Sequence, residues 1–250
     1  MNVAPGPITR CWRIAKRTPA AAGCVFGCLC DYYVQWSLGR LTPARRARIL
    51  QKWSARLLHG IDVSIAIEGK APAPGLVVSN HLSYLDIMVY SAAAACVFVS
   101  KREVKSWPGI GWIASLSGTI YIDRARRRDT HAIQPDMLAA LSGGLRLVVF
   151  PEGTSSNGQS VGPFHSSLFQ PAIDLSCPVT AACLHYELRD GDAGEEVCYW
   201  GDHTLVPHLL NLLTKESVQA KIKFSGKPYQ FTDRKTAART MEEEVQKLRG

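Results

Sequence analysis

Three short stretches of the chain set a proton-handling or anion-binding side chain beside turn-forming residues: 79–86, 118–124 and 150–154. In the first, Ser79-Asn80-His81-Leu82-Ser83-Tyr84-Leu85-Asp86, an apolar run ends just before His81. That predicts a histidine presented at a strand-to-helix turn, where reactive side chains are common. A histidine can take a proton from an attacking hydroxyl near neutral pH. Asp86 follows after four intervening residues, and a turn would bring its carboxylate to the second ring nitrogen, fixing the tautomer and stabilising the imidazolium. Ser83 and Asp86 also have the spacing of a capping box, so the same carboxylate suits the backbone donors of a helix start. Ser83 lies close to the histidine in sequence but is not assigned as a nucleophile.

The second stretch, Gly118-Thr119-Ile120-Tyr121-Ile122-Asp123-Arg124, reads as a strand running into a basic loop that also holds Arg126, Arg127 and Arg128. A guanidinium at Arg124 matches a phosphate through its planar, bidentate fork. In the third, Phe150-Pro151-Glu152-Gly153-Thr154, Pro and Gly form a turn after the apolar run 145–149. That turn holds a carboxylate and a hydroxyl at a strand end, where open α/β sheets place ligands.

Elements must bring these stretches together. Strands are predicted over 63–67, 76–79, 95–99, 118–122, 145–150, 179–185, 197–200 and 221–224. Helical segments are predicted from Ser83, over 130–141 and over 234–248. Strands alternating with helices imply an α/β fold: a single domain with a mixed, mostly parallel sheet flanked by helices. Its predicted extent is residues 60–250, after an N-terminal membrane-associating helical segment over 1–59. In that segment Thr42 suits an N-cap, with Pro43 as first helical residue. Ala47, Leu50, Trp53, Leu57 and Leu58 then recur at helical spacing among Arg45, Arg46, Arg48, Lys52 and Arg56, a basic amphipathic helix. Upstream, the uncharged stretch 20–30 is well short of the roughly 20 residues that cross a bilayer. It is followed by Asp31 and two tyrosines and not by a cleavage site. It reads as an interfacial helix with Tyr32, Tyr33 and Trp36 at headgroup depth.

The 250 residues are 46% hydrophobic and 20% charged, enough for one substantial core. No repeat or low-complexity tract points to a solenoid or a disordered tail. The net charge of +8 is largely an N-terminal feature. Its basic residues interleave with a helical apolar face and form no nucleic-acid motif, so an anionic membrane surface is the expected partner and nucleic acid is not. Eight cysteines show no pairing logic. Cys24, Cys28 and Cys30 lack the second close pair or the histidine of a metal site and read as small apolar packing residues. Reduced thiols fit a cytosolic environment.

Together the three stretches, in this order, resemble the glycerolipid acyltransferase family that includes the 1-acylglycerol-3-phosphate acyltransferases. Lys101 and Pro108-Gly109-Ile110-Gly111 match further family positions, and 221–228 resembles its late strand; the resemblance covers residues 45 to 230 or so. It implies that His81 deprotonates the acceptor hydroxyl, with Asp86 orienting it. The hydroxyl then attacks the thioester of acyl-CoA or acyl carrier protein with no acyl-enzyme intermediate. Arg124 would hold the acceptor's phosphate, Glu152, Gly153 and more weakly Thr154 its polar backbone, and Lys101 would join the substrate-binding set. No metal or cofactor is implied beyond the thioester co-substrate, and the location implied is the cytoplasmic face of the inner membrane. Ser155 stands where many members have Arg, while His165, Ser166 and Ser167 stand where they have basic residues. Only part of a proline-containing strand motif survives in 177–182. These departures keep two acceptors open: lysophosphatidic acid first, then another lysolipid such as lyso-ornithine lipid. A non-catalytic lipid-binding adaptor on the same fold is the alternative of another class.

Overall fold

The computed structural model describes residues 6–107, 110–122 and 134–250. Its centre is a seven-stranded sheet of β1 (Val63–Glu68), β2 (Gly75–Ser79), β3 (Val97–Lys101), β4 (Ile120–Ile122), β5 (Arg146–Val149), β6 (Val179–Leu188) and β7 (Val218–Phe224), in the spatial order β1-β7-β6-β2-β5-β3-β4. Every neighbouring pair is parallel except β6 with β7, so the sheet is mixed and mostly parallel, as the alternation of elements predicted. All five residues of β2 are buried, as a continuous apolar run at the centre of a doubly covered sheet requires. In β7, Val218, Ala220, Ile222 and Phe224 are buried and alternate with half-exposed Gln219, Lys221 and Lys223.

Helices cover both faces. Leu50 and Leu58 of α2 (Pro43–Gly60), Val89 and Tyr90 of α3 (Leu85–Ala93) and two leucines near residue 212 pack with Val77, Val148, Leu184 and Ile222. On the other face Leu76, Val78, Val149 and Ala181 meet α5 (Gln134–Ser142), α6 (Gln170–Asp174) and α9 (Arg234–Arg249). The intervening helices are α4 (Ile110–Leu116), α7 (Ala193–Glu196) and α8 (Leu205–Thr214). Gly111 of α4 must be glycine, because an added Cβ would sit 2.1 Å from the Lys105 carbonyl oxygen.

The N-terminal helix α1 (Pro7–Ser37) precedes Thr42, which caps α2 by accepting from the Arg45 N–H at 3.3 Å, with Pro43 in the first turn. One stripe of α1 faces the protein. Arg17, only 3% exposed, donates to the Leu213 and Glu216 carbonyls and to the Asp62 carboxylate at 2.6–3.0 Å. Arg13 donates to the Thr214 carbonyl. Cys28 and Tyr32 are buried against Ile49. The Tyr32 hydroxyl donates to the Arg46 carbonyl, so this tyrosine sits inside the protein and not at an outer surface. Cys30, expected as a packing residue, is exposed.

One predicted strand is absent. Residues 197–200 are an irregular segment whose Val197 and Cys198 N–H groups close α7 onto the Ala193 carbonyl. The Tyr199 N–H donates to the Leu82 carbonyl at 2.7 Å. Apolar Val197 and Cys198 are buried beneath the turn that follows β2, which gave the run its strand-like look. Helix α8 was not predicted at all. The predicted segment 130–141 coincides with α5 from Gln134 onward, and its first residues lie outside the described ones.

Candidate active site

Parallel pairing of β2 with β5 sets Val78 opposite Val149. His81 and Glu152 each lie three residues further on, so the register delivers them side by side at the carboxyl ends of neighbouring strands. The His81 backbone N–H donates to Glu152 Oε1 at 2.8 Å, and Glu152 Oε2 accepts from the Gly162 N–H at 2.7 Å. Ser156 closes the contact by donating its N–H to the His81 carbonyl at 2.9 Å. Glu152 therefore ties the turn after β2 to the turn after β5. Burial pushes its carboxyl above the ordinary range, and the two amide donors pull part of the way back.

The side chain of His81 is 23% exposed and that of Asp86 is fully buried. His81 Nδ1 lies 2.7 Å from Asp86 Oδ2, which also accepts from the N–H groups of Leu82 at 2.7 Å and Ser83 at 3.1 Å. The carboxylate thus satisfies two backbone donors of the turn that leads into α3 and orients the histidine at once. With Nδ1–H donated to a carboxylate, Nε2 carries the lone pair of the neutral ring. The imidazole stacks on Phe150, with centroids 4.3 Å apart and planes 14° from parallel. Such a ring holds one nitrogen fixed and offers the other as a base.

Two residues passed over in the sequence complete the support. The Tyr186 hydroxyl donates to Asp86 Oδ1 at 2.8 Å. The Asn80 side chain pairs with both the N–H and the carbonyl of Leu184, at 2.8 and 2.9 Å. A signal existed for Tyr186: a tyrosine in the inward phase of an apolar strand needs a partner for its hydroxyl. Ser155 donates to the Tyr199 carbonyl and holds segment 197–200 over the dyad's turn.

Gly153 is buried with φ +79°, a backbone setting that favours glycine. Thr154 is exposed beside it, and Lys101 is exposed at the end of β3, one strand beyond β5. Arg124 lies outside the described residues. A cavity of about 790 Å³ opens at the β4 edge, between Arg46, Arg102, Lys105, Tyr121 and Ala140; neither His81, Asp86 nor Glu152 lines it.

The model of the acyltransferase family matches residues 50–185. The lyso-ornithine lipid O-acyltransferase of Pseudomonas aeruginosa is 35% identical over 207 residues, covering 82% of this chain and 79% of that protein. A 1-acyl-sn-glycerol-3-phosphate acyltransferase of Neisseria meningitidis is 34% identical over 63% of this chain and 67% of its own length. The crystal structure of the 1-acyl-sn-glycerophosphate acyltransferase from Thermotoga maritima shares the fold, with TM-score 0.64 over 94% of this chain and 95% of that one at 20% identity. The turns that hold His81, Asp86 and Glu152 all fall within the family match, and on that footing this chain belongs to the acyltransferase family, among O-acyltransferases of the 1-acylglycerol-3-phosphate acyltransferase kind.

Proposed function

We propose that this chain transfers a fatty acyl group from an acyl thioester, of CoA or acyl carrier protein, to the free hydroxyl of a lysophospholipid-type acceptor, with His81 as general base. The observation that carries the reading is the fully buried Asp86 holding Nδ1 of a partly exposed His81 at 2.7 Å. Nε2 takes the acceptor's hydroxyl proton while the oxygen attacks the thioester carbonyl. The buried carboxylate stabilises the imidazolium that forms. Collapse of the tetrahedral species breaks the C–S bond, and the imidazolium returns its proton to the leaving thiolate. Water stays a poor competitor if acceptor and donor are held together, which is where positioning contributes most to rate.

In this reading Arg124 and Lys101 bind the acceptor's anionic group. Gly153 and Thr154 contact its polar backbone, with Glu152 acting through the turns it clamps. Lysophosphatidic acid, giving phosphatidic acid, is the acceptor expected from the sequence motifs. Lyso-ornithine lipid is a second reading, supported by the 35% identity to the lyso-ornithine lipid O-acyltransferase of Pseudomonas aeruginosa; where the family resemblance expects an arginine, Ser155 donates its hydroxyl to the Tyr199 carbonyl. Loss of a cation there suits a headgroup without a phosphate.

We further propose that α1 lies in the membrane interface at the cytoplasmic face of the inner membrane. Among the described residues no helix is long and apolar enough to cross a bilayer. Ile8, Trp12, Phe26, Tyr33 and Trp36 nonetheless project from α1, each more than 60% exposed. They share one stripe, with exposed Lys16 set over the Trp12 ring, the pattern of an interfacial helix.

The test is thiol release from acyl-CoA, then from acyl carrier protein thioester, against lysophosphatidic acid, lyso-ornithine lipid and other lysolipids. One acceptor should stimulate release by wild type, and His81→Ala should lose at least about 100-fold, the lower range for a general base. Lipid binding by both proteins with no release from either donor would move the non-catalytic adaptor to first place.

A further inference from the structure

Asp86 can fix His81 only if its own carboxylate is fixed. The χ2 torsion of an aspartate is broad and roughly two-fold, so nothing intrinsic holds the plane of the group. Three donors converge on Oδ2: His81 Nδ1 and the N–H groups of Leu82 and Ser83. The other oxygen, Oδ1, accepts from the Tyr186 hydroxyl at 2.8 Å. The three donors on Oδ2 all come from one turn, that after β2. Tyr186 belongs to the sheet: it is 2% exposed and paired with Ala220 across β6 and β7.

We infer that Tyr186 is a positioning residue for the acyl-transfer reaction, its hydroxyl holding Asp86 in the orientation from which Oδ2 fixes the His81 ring. The inference rests on the general-base reading of His81. Burial and the neighbouring Asp86 charge hold the Tyr186 phenol well above its ordinary range, so it stays a donor at every pH at which the protein works. The titratable groups facing this pair are His81 from the turn, Tyr90 from α3, Glu152 after β5 and Cys198 after α7. Removing the hydroxyl leaves a fully buried carboxylate oxygen without its donor. The carboxylate is then free to turn away from His81, and when aligned it attracts the imidazolium more strongly because one competing donor is gone.

The experiment measures kcat, both KM values and the acid limb of kcat/KM for wild type, Tyr186→Phe, Asp86→Asn, their double variant and His81→Ala. Tyr186→Phe should lower kcat about 10-fold, in line with a hydrogen bond to a charged group, and leave both KM values within about twofold. Its acid midpoint should move up by about half a pH unit, a readout that packing loss alone would not move. Added to Asp86→Asn it should cost nothing more, because the two act through one contact. Unchanged kcat and midpoint, or full multiplication of the two losses, overturns the inference. Activity surviving in His81→Ala overturns the general-base reading instead, so the two failures are distinct. Should Tyr186→Phe misfold, 3-fluorotyrosine placed at 186 keeps the ring and strengthens the donor. The acid midpoint should then fall, and a midpoint that stays put overturns the inference.

Discussion

In the proposed site Glu152 sets function against stability. Its two oxygens accept the amides of His81 and Gly162, yet burial still leaves the carboxyl raised. For a group raised in the folded state, the stabilising contribution is complete below its unfolded value and is lost as pH rises through the folded one. Above that folded value the ionised Glu152 therefore weighs against folding while it clamps the turn after β2. Glu152→Gln should keep the melting temperature at pH 7 within about 3 °C, equivalent to ~1 kcal/mol, because it sheds the buried charge. Its NH₂ group must face one of the two amides, so the clamp opens and kcat/KM should fall about 10-fold or more. Melting and kinetics across pH 5–8 check this; a large drop in melting temperature with intact activity would show that Glu152 serves the fold alone. The dyad itself was legible, because a histidine and an aspartate spaced across a turn carry their chemistry in type and spacing. Tyr186 and Asn80 were not, since each acts on a partner about 100 residues away that only strand register identifies.

At the scale of elements, parallel strands were readable wherever burial on both faces made the run apolar, as in β2 and β5. Segment 197–200 misled because burial of Val197 and Cys198 under a turn writes the same local pattern as a strand. Helix α8 went unread for a related reason: Pro207 sits early in a short, strongly apolar run, where period 3.6 and a buried strand are hard to separate. The join between α1 and the sheet is the least legible link, since it depends on carbonyls that carry no side-chain signature. Arg17 supplies that join by donating to the carbonyls of Leu213 and Glu216, which lie at and just beyond the end of α8, and to Asp62, whose φ of 57° is uncommon for a non-glycine residue. Losing a buried charged donor to several carbonyls should cost about 2–3 kcal/mol. Arg17→Ala should lower the melting temperature by roughly 5–10 °C in a chain of this size. Arg17→Lys should recover only part, because an ammonium cannot reproduce the planar fork. A melting temperature unchanged in Arg17→Ala would mean that α1 is not anchored through this residue.

Across the whole molecule, the proposed membrane contact would give α1 two jobs on two faces, and that decides how membrane binding must be tested. Removing the helix would uncover the core around Cys28 and Tyr32 and release the Arg17 bonds, confusing loss of anchoring with loss of fold. Substituting the outward stripe avoids this. Trp12, Phe26 and Trp36 are 62%, 70% and 64% exposed, so Trp12→Ser, Phe26→Ser and Trp36→Ser together should spare the melting temperature. Burying a large apolar side chain fully contributes about 1.5–3 kcal/mol, and interfacial insertion realises part of that, so the triple variant should bind vesicles at least about 10-fold more weakly. Exposed Arg45, Arg48 and Arg56 on α2 add an electrostatic share of about 1 kcal/mol each near an anionic leaflet, which salt screens. Sedimentation with anionic and zwitterionic vesicles at low and high salt separates the two contributions. The serine variant should lose binding to both lipids, while Arg45→Ser with Arg48→Ser should lose only the anionic preference. Undiminished binding by the serine variant would place the membrane contact on another face, and the dyad would then have to meet its lipid acceptor from there.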